Sequence, residues 1–393
     1  MRTASARRGK ILRPDKSGLR MTPIGRESSG ENRLKKLNVL VLFGGKSAEH
    51  EVSIISASSV INALDAKKYD VIPVMITNTG RWLSPARSAR KLIAVTRPLK
   101  TPDRPLVATQ GAPLIHINSA RARGVDVVFP VLHGPFGEDG TVQGLLEMAN
   151  VPYVGSGVTG SAAGMDKDVM KRLFREAGLP VVDFVVVRRG RWRRERKAVM
   201  KEILARLDLP VFVKPACLGS SVGIRRVKSR RELKRAMDYA ARFDTKLLIE
   251  EGLDPIEIEC AVLGNDDPVA SCVGQIVPPG GFYDYNKKYR SNTTKLVIPA
   301  DIPEMVARKV RWLSLRAYKT VDCAGMARVD FLLDVPTGRL CVSELNTIPG
   351  FTSISMYPKM WDHSGLPYPQ LLDRLIALAI ERHADRADVR VER

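Results

Sequence analysis

Carboxylates near the C-terminus are spaced as in a metal-binding hairpin. Apolar and mostly polar residues alternate on both sides of a Pro-Thr-Gly turn, which predicts a β-hairpin over residues 327–346. Folding it about Thr337 places Asp330 opposite Glu344. Arg328 then faces Asn346, so all four side chains share one face. Opposed like charges destabilise a strand pair, and a Mg²⁺ ion between these oxygen ligands would remove the conflict. The alternative is a polar stripe that faces solvent.

A glycine- and serine-rich segment is a candidate phosphate-binding loop. Residues 214–223 read Lys-Pro-Ala-Cys-Leu-Gly-Ser-Ser-Val-Gly and follow a predicted strand. Glycines let backbone N–H groups approach an anion, serines add hydroxyl donors, and Lys214 adds positive charge. The lysine precedes the glycines, so this is not the common nucleotide-binding loop in which it follows them. An ordinary connection between strands is the alternative.

Two further turns follow strands that are predicted to be buried. Residues 44–51 read Gly-Gly-Lys-Ser-Ala-Glu-His-Glu, and residues 133–140 read His-Gly-Pro-Phe-Gly-Glu-Asp-Gly. Ligands of open α/β sheets bind outside the carboxyl ends of the strands, so both turns are candidate substrate-binding segments. Glu138 and Asp139 directly precede a predicted helix, and helix capping is the alternative explanation for them.

The elements that must position these segments are of two kinds. Continuous apolar runs at 38–43, 71–76 and 125–131 are typical of strands buried on both faces of a parallel sheet, and they predict an N-terminal α/β domain. A central α+β lobe follows, in which the capping box Ser229-x-x-Glu232 opens a helix. The most suitable domain boundaries lie near residues 155–160 and 252–255.

The bulk composition suits a soluble globular protein of two or three domains. The chain has 393 residues, 44% of them hydrophobic, and no apolar run approaches the roughly 18 residues that a membrane helix needs. The N-terminus lacks the apolar core of a secretory signal. The five cysteines form no Cys-x-x-Cys pair, which argues against a zinc ribbon or a disulfide framework. We therefore expect a cytoplasmic protein with reduced thiols.

The net charge of +21 makes nucleic-acid binding a candidate function. Residues 1–37 carry eleven Lys or Arg against three acids, a net charge of 11 − 3 = +8. Residues 1–36 are predicted to be a disordered basic tail, with Met21 as an alternative start. A second basic run at 188–197 contains Trp192, which would be able to stack on a base. A solvated loop is the alternative, and we favour it because no nucleic-acid-binding signature accompanies the run.

Taken together, these segments resemble the D-alanine–D-alanine ligases of the ATP-grasp superfamily. The resemblance extends from about residue 38 to about residue 382. It rests on six motifs in order: Gly-Gly-Lys-Ser-Ala-Glu-His-Glu-Val-Ser at 44–53, the turn at 133–140, Met-Asp-Lys at 165–167, the loop at 214–223, Tyr-Asp-Tyr-Asn-Lys-Lys-Tyr at 283–289, and Glu-Leu-Asn-Thr-Ile-Pro-Gly-Phe-Thr at 344–352.

The resemblance implies a three-domain ATP-grasp architecture of α/β and α+β type. An N-terminal parallel-sheet domain is expected at 37–155, a central lobe at 156–250 and a C-terminal lobe at 251–385, with a short tail at 386–393. ATP would lie between the two lobes. Lysines would contact its phosphates, residues 250–253 would form the adenine hinge, and an acid on the next strand would meet the ribose. The expected nucleotide-binding residues are Lys167, Lys214, Gly219, Ser221, Glu250, Glu251, Leu253, Glu257 and Lys288.

The same resemblance implies sites for two D-alanine molecules and two Mg²⁺ ions, which Mn²⁺ can replace. The first D-alanine would meet Glu49, in a hydrogen-bond network with Ser220 and Tyr289, and would be flanked by Val52 and His133. The second would meet Arg328, Gly350, Ser355 and Met356. The metal ligands would be Asp330, Glu344 and Asn346, in agreement with the hairpin argument.

The implied reaction joins two D-alanine molecules through an acyl phosphate, for peptidoglycan precursor synthesis. A mobile loop around residues 281–295 would bring Lys288 to the γ-phosphate and exclude water. The expected assembly is a homodimer, without a nucleic-acid or membrane partner. The alternatives are a D-alanine–D-lactate or D-alanine–D-serine ligase, another ATP-grasp carboxylate–amine ligase and a basic nucleic-acid-binding protein.

The resemblance yields one prediction about the choice of second substrate. In this family, the residue at the position of Tyr289 bears on whether an amine or a hydroxy acid is accepted, and tyrosine favours D-alanine over D-lactate. The substitution Tyr289→Phe is expected to retain ligation but to loosen this discrimination. Mass analysis of the products formed from mixtures of D-alanine and D-lactate measures the effect. A product profile identical to that of the wild type would contradict the role.

Overall fold

Three β-sheets organise the chain in the computed structural model, which describes residues 35–96, 124–277, 295–352 and 354–389. The strands are β1 (Leu37–Gly44), β2 (Tyr69–Ile76), β3 (Val127–Leu132), β4 (Phe184–Arg188), β5 (Val211–Pro215), β6 (Arg225–Val227), β7 (Lys246–Glu251), β8 (Ile256–Gly264), β9 (Val269–Val277), β10 (Lys295–Val297), β11 (Gly325–Asp334) and β12 (Arg339–Asn346).

Helices cover the faces of these sheets. They are α1 (His50–Ala63), α2 (Pro85–Thr96), α3 (Thr141–Met148), α4 (Val158–Met165), α5 (Lys167–Glu176), α6 (Arg189–Arg194), α7 (Arg196–Arg206), α8 (Arg230–Ala240), α9 (Glu304–Thr320), α10 (Met356–His363) and α11 (Tyr368–Ala387). Within the described ranges, none of them is both long enough and apolar enough to cross a membrane.

The first sheet is parallel, with strand order β2-β1-β3. The side chains from Val39 to Phe43 are fully buried, as the continuous apolar run predicts for a strand covered on both faces. Helix α1 follows β1 and contributes buried serines. The hydroxyl of Ser53 accepts the N–H of Gly44 at 2.7 Å and donates to the carbonyl of Val131. This serine therefore holds together the carboxyl ends of β1 and β3, where the two candidate turns begin.

The second sheet is antiparallel, with order β4-β7-β5-β6, and the basic run lies beside it. The predicted capping box is confirmed, since Ser229 Oγ accepts the N–H of Glu232 at 3.3 Å. Residues 188–197 are solvated as expected, since most of their side chains are exposed, but the prediction of a loop is wrong, because most of the run lies in α6 and the start of α7. Stacking of Trp192 on a base is also wrong. That ring is 1% exposed, and its Nε1 donates to Asp238 at 2.9 Å.

The third sheet is antiparallel, with order β10-β9-β8-β11-β12, and contains the predicted hairpin. Asp330 pairs with Glu344, and Arg328 with Asn346, as predicted. Towards the turn the predicted register is wrong by one residue, because a β-bulge follows Asp330. The extra residue of the bulge is Ser343, which leaves the pairing at the acidic end intact.

The first and third sheets share a hydrophobic core. Phe129 of β3 meets Phe351 edge to face, with ring centroids 5.9 Å apart, and Phe351 also packs on Tyr357 of α10. The segment after β12 is thereby fastened to the N-terminal sheet. Residues from Lys36 onward form one compact unit, so the domain bounds proposed from the sequence stay a prediction.

A glycine on α4 provides a test of this packing. A Cβ added at Gly160 would overlap the carbonyl group of Asp322, at 2.9 Å from its carbon. We expect Gly160→Ala to destabilise the fold by about 1–3 kcal/mol, since backbone cannot move aside as a side chain can. Thermal or urea unfolding measures the change.

The control for this substitution is Gly144→Ala on α3, where the nearest atom to the added Cβ lies 4.0 Å away. There alanine is expected to stabilise the helix by roughly 0.5–1 kcal/mol. If both substitutions act alike, the close approach of α4 to Asp322 is incorrect.

Candidate active site

The acidic face of the hairpin continues onto the neighbouring strand. Asp330 on β11 lies between Glu344 on β12 and Glu259 on β8 in the register of the sheet. Arg328 crosses this face: its Nε and Nη2 donate to Asp330 at 2.7 and 2.6 Å, and Nε lies 3.0 Å from Glu259. Burial opposes the charge of Arg328, but the neighbouring carboxylates outweigh it and raise its pKa. Asn346 donates to Asp330 at 3.1 Å.

The sequence prediction missed Glu259. Its signal was the period-two alternation of acids at residues 257 and 259, which places both on one face of β8.

Lys167 joins the acidic hairpin to the candidate phosphate loop. Its Nζ lies 3.2 Å from Glu344 and donates to the carbonyl of Leu218 at 2.9 Å. The lysine begins α5. The side chain of the N-cap Asp166 accepts the N–H groups of Asp168 and Val169 and pairs with Lys246 at 2.5 Å. The hairpin and the loop at 214–223 therefore meet at one cationic group.

A second cationic cluster lies behind the loop. Glu250, 2% exposed, pairs with both Lys214 and Lys171, the latter at 3.1 Å. Burial alone would raise the pKa of Glu250, but the two lysines outweigh it and lower the pKa to about 2. Burial lowers the pKa of Lys171. The carboxylate of Glu250 thus faces the two lysines, while its backbone lies within the sheet, opposite Phe184 of β4 and Phe212 of β5.

Lys171 was also missed by the sequence prediction. Its spacing of four residues from Lys167 on α5, which places both on one side of the helix, was the available signal.

The phosphate loop also reaches the N-terminal domain. The hydroxyl of Ser220 donates to Glu49, as expected for the first-substrate network, and Gly219 packs closely against the same carboxylate. Ser220 and Ser221 both have positive φ, at 50° and 58°, a conformation that L-residues adopt at a cost. The expected partners Tyr289 and Lys288 lie outside the described residues.

The other residues expected around the first substrate lie on the N-terminal domain. Val52 on α1 is 8% exposed, and His133 at the end of β3 is 6% exposed. His133 donates from Nδ1 to the carbonyl of Ile348 at 3.2 Å, since a carbonyl can only accept. This hydrogen bond attaches the turn at 133–140 to the segment that carries Gly350.

The residues expected around the second substrate follow β12. A Cβ at Gly350 would lie 2.8 Å from Ser355 Oγ, so glycine permits this close turn. Ser355 Oγ accepts the N–H of Thr352 at 3.0 Å. Met356 is 4% exposed, and its methyl group packs against Gly274 of β9. The side chain of Met356 is thus part of the core, and its role towards a substrate stays a prediction.

The remaining nucleotide-binding candidates lie at the junction of the second and third sheets. Glu251 makes a bidentate ion pair with Arg339, at 2.6 and 2.9 Å, which ties β7 to β12 and lowers the pKa of Glu251. Leu253 is half-buried between β7 and β8, and Glu257 on β8 faces Leu332. Their roles towards a nucleotide stay predictions.

The expected metal ligands fit Mg²⁺ by their chemistry. Among the described residues, no three His, Cys, Asp or Glu side chains gather into a metal site. The predicted set instead offers two carboxylates and the amide of Asn346 on one face. This suits a hard cation that takes its other ligands from water and substrate phosphates.

Two family models match the chain, "D-ala D-ala ligase N-terminus" over residues 38–156 and "D-ala D-ala ligase C-terminus" over residues 173–377. The chain is 50% identical over 367 residues to the D-alanine–D-alanine ligase of Thermoanaerobacter sp. (strain X514), covering 90% of this chain and 99% of the relative. It is 46% identical over 358 residues to that of Solibacter usitatus (strain Ellin6076), covering 91% and 100%.

Solved structures show the same similarity. The D-alanine–D-alanine ligase from Coxiella burnetii superposes with a TM-score of 0.75 at 40% identity, covering 90% of this chain and 96% of its own. The VanG D-Ala:D-Ser ligase from Enterococcus faecalis superposes with a TM-score of 0.74 at 38% identity, covering 88% and 100%.

The buried lysine cluster yields a stability prediction. The substitution Lys171→Met removes one of the two cations that hold Glu250, and breaking a buried pair typically costs about 3 kcal/mol. We expect a loss of that order in denaturant unfolding. Arg172→Met is the control on the same helix, because the exposed pair of Arg172 with Asp168 is worth roughly 0.5 kcal/mol. Equal stability of the two variants would contradict the buried cluster.

Proposed function

The chain belongs to the D-alanine–D-alanine ligase family, and from that premise we propose that it joins two D-alanine molecules in an ATP-dependent reaction. It has the family's ATP-grasp architecture, with an N-terminal parallel sheet. The observation that carries the proposal is the position of Lys167, between Glu344 of the hairpin and Leu218 of the phosphate loop. The residues that would bind a triphosphate and its metals are thereby joined through one lysine, which supports the proposal.

The lysines and the loop would bind the triphosphate. Lys167 contacts the loop at Leu218, Lys214 begins the loop, and both lysines pair with carboxylates. In the proposed complex their charge is directed to the phosphates, while Lys171 remains as the partner of Glu250. Residues 250–253 would meet adenine, and Glu257 the ribose. Lys288 would approach the γ-phosphate.

Asp330, Glu344 and Asn346 would hold Mg²⁺, with two ions expected and Mn²⁺ as a substitute. When bound, the metal would neutralise charge on the transferring phosphoryl group. Asp330 would then bind the metal ion in place of Arg328. Arg328 would keep its ion pair with Glu259, so the rearrangement would be local.

The chain's own residues then order the two substrates. Glu49, held by Ser220, would accept the ammonium of the first D-alanine, whose carboxylate attacks the γ-phosphorus as the bond to ADP breaks. The amine of the second D-alanine attacks the resulting acyl phosphate and loses a proton, and phosphate leaves. Arg328 and the N–H of Gly350 would stabilise the oxyanion formed at the attacked carbon. The product is D-alanyl-D-alanine, which serves peptidoglycan synthesis.

The proposal also covers the cellular location, the assembly and the alternative functions of the protein. We propose a cytoplasmic homodimer acting on small molecules. The similarity to a D-Ala:D-Ser ligase keeps D-serine as an alternative second substrate. The nucleic-acid alternative loses its aromatic element, since Trp192 belongs to the core.

Phosphate release with ATP and Mg²⁺ tests the proposal. We expect D-alanine, but not L-alanine, to stimulate release, with D-alanyl-D-alanine as the product by mass analysis. D-serine and D-lactate, each offered with D-alanine, test the alternative second substrates. A predominant mixed product would overturn the assignment, and salt-sensitive DNA binding without D-alanine-dependent release would support the nucleic-acid alternative.

The phosphate-binding role has its own variant. Lys214→Ala is expected to lower ADP formation at least about 100-fold, the usual scale for losing a group that stabilises transition-state charge. Lys201→Ala, at an exposed position on α7, serves as the control and should retain the wild-type rate. A wild-type rate for Lys214→Ala would refute the role.

A further inference from the structure

Glu138 is a carboxylate that the proposed reaction does not use, yet it bridges two segments of the site. It lies in the turn after β3, and its Oε2 accepts the N–H of Gly134 at 2.7 Å. Its Oε1 accepts the N–H of Ile348, from the segment after β12, at 3.2 Å. Burial, followed by the charge of Glu49, raises the pKa of Glu138 to about 8. Helix capping, the explanation considered from the sequence, does not account for the contact with Ile348.

Two more side chains of the N-terminal domain hold the same segment. The carbonyl of Ile348 accepts from Nδ1 of His133 at 3.2 Å. Ser56 on α1 accepts the N–H of Phe351 at 3.5 Å, and its hydroxyl lies 3.4 Å from Nε2 of His133. Glu138, His133 and Ser56 therefore anchor residues 348–351 at both ends.

Apolar packing alone does not explain this network. Ile348 and Phe351 are 3% and 0% exposed, and Phe351 packs on Phe129, so burial already attaches the segment to the N-terminal sheet. Hydrophobic contacts are non-directional. The hydrogen bonds to both polar backbone groups of Ile348 fix the rotation of the peptide chain that leads to Gly350.

The orientation of Gly350 matters because the first D-alanine would be held by a residue of a different segment. Glu49, which would hold the first D-alanine, belongs to the N-terminal domain that supplies the three anchors. The segment that carries Glu49 would thus position the attacked carbonyl group. The segment after β12 positions the N–H of Gly350, which would stabilise the charge formed on that carbonyl. A misplacement of about 1 Å between such groups can cost 100-fold in rate.

We propose that Glu138, supported by His133 and Ser56, is a positioning residue for the ligation step, because it sets the N–H of Gly350 against the acyl group of the first substrate. The inference rests on the proposed function. Formation of the acyl phosphate does not need this N–H, whereas attack by the second amine does. Loss of Glu138 therefore slows ligation selectively, and the waiting acyl phosphate is lost to water.

The test compares ADP with dipeptide formed by purified full-length variants. The wild type is expected to form one ADP for each dipeptide, a ratio of one. Glu138→Ala is expected to lower the kcat for dipeptide about tenfold, the usual scale for a lost hydrogen bond, and to raise the ratio of ADP to dipeptide above one. Glu138→Gln keeps one oxygen acceptor and is expected to restore part of the rate. A merely structural role would lower both products in proportion.

The control is Asp139→Ala in the same turn, which accepts only local N–H groups from Phe136 and Thr141. It is expected to keep the ratio at one. If Glu138→Ala does not fold, Ser56→Ala removes the anchor at Phe351 and is expected to raise the ratio as well. A ratio of one in every folded variant overturns the inference, whereas a wild type that forms no dipeptide overturns the proposed function instead.

Discussion

The repulsion among carboxylates on one sheet face is the constraint around which this site is arranged. Glu259, Asp330 and Glu344 lie side by side on three adjacent strands. Such a row needs cations, and Arg328 and Lys167 supply them. Lys167 in turn depends on the capped start of α5, where Lys246 of β7 pairs with the N-cap Asp166. The positive charge that these three strands require thus links the acidic face to the phosphate loop.

Much of this arrangement follows from sequence patterns that reflect a repeating geometry. Apolar runs identify the parallel strands, and alternation identifies the hairpin and its acidic pairs. The bulge at Ser343 was missed because folding about the turn assumes equal strands. Yet its trace is visible in the core residues Leu340, Val342 and Leu345, whose spacing changes from two to three.

Other features depend on tertiary contacts that spacing does not encode. A run of arginines conceals the helix around Trp192, because its burial is decided by Asp238 and neighbouring helices. Lys171 looks like any surface lysine until Glu250 is found beside it. The resemblance placed Met356 at the second substrate, but only the packing against Gly274 shows that its side chain faces the core. The expected role of Met356 towards a substrate came from the resemblance, whereas the hairpin site was argued from strand register and charge.

The bulge at Ser343 has a consequence for assigning function across related genomes. A chain that lacked one residue at this point would keep almost every letter of its motif, while the acid of β12 would move to the opposite side of the ribbon. Gap placement within this strand is therefore as informative as residue identity. Before a ligase function is assigned to a related chain, its alignment at the position of Ser343 should be checked in addition to its overall sequence identity.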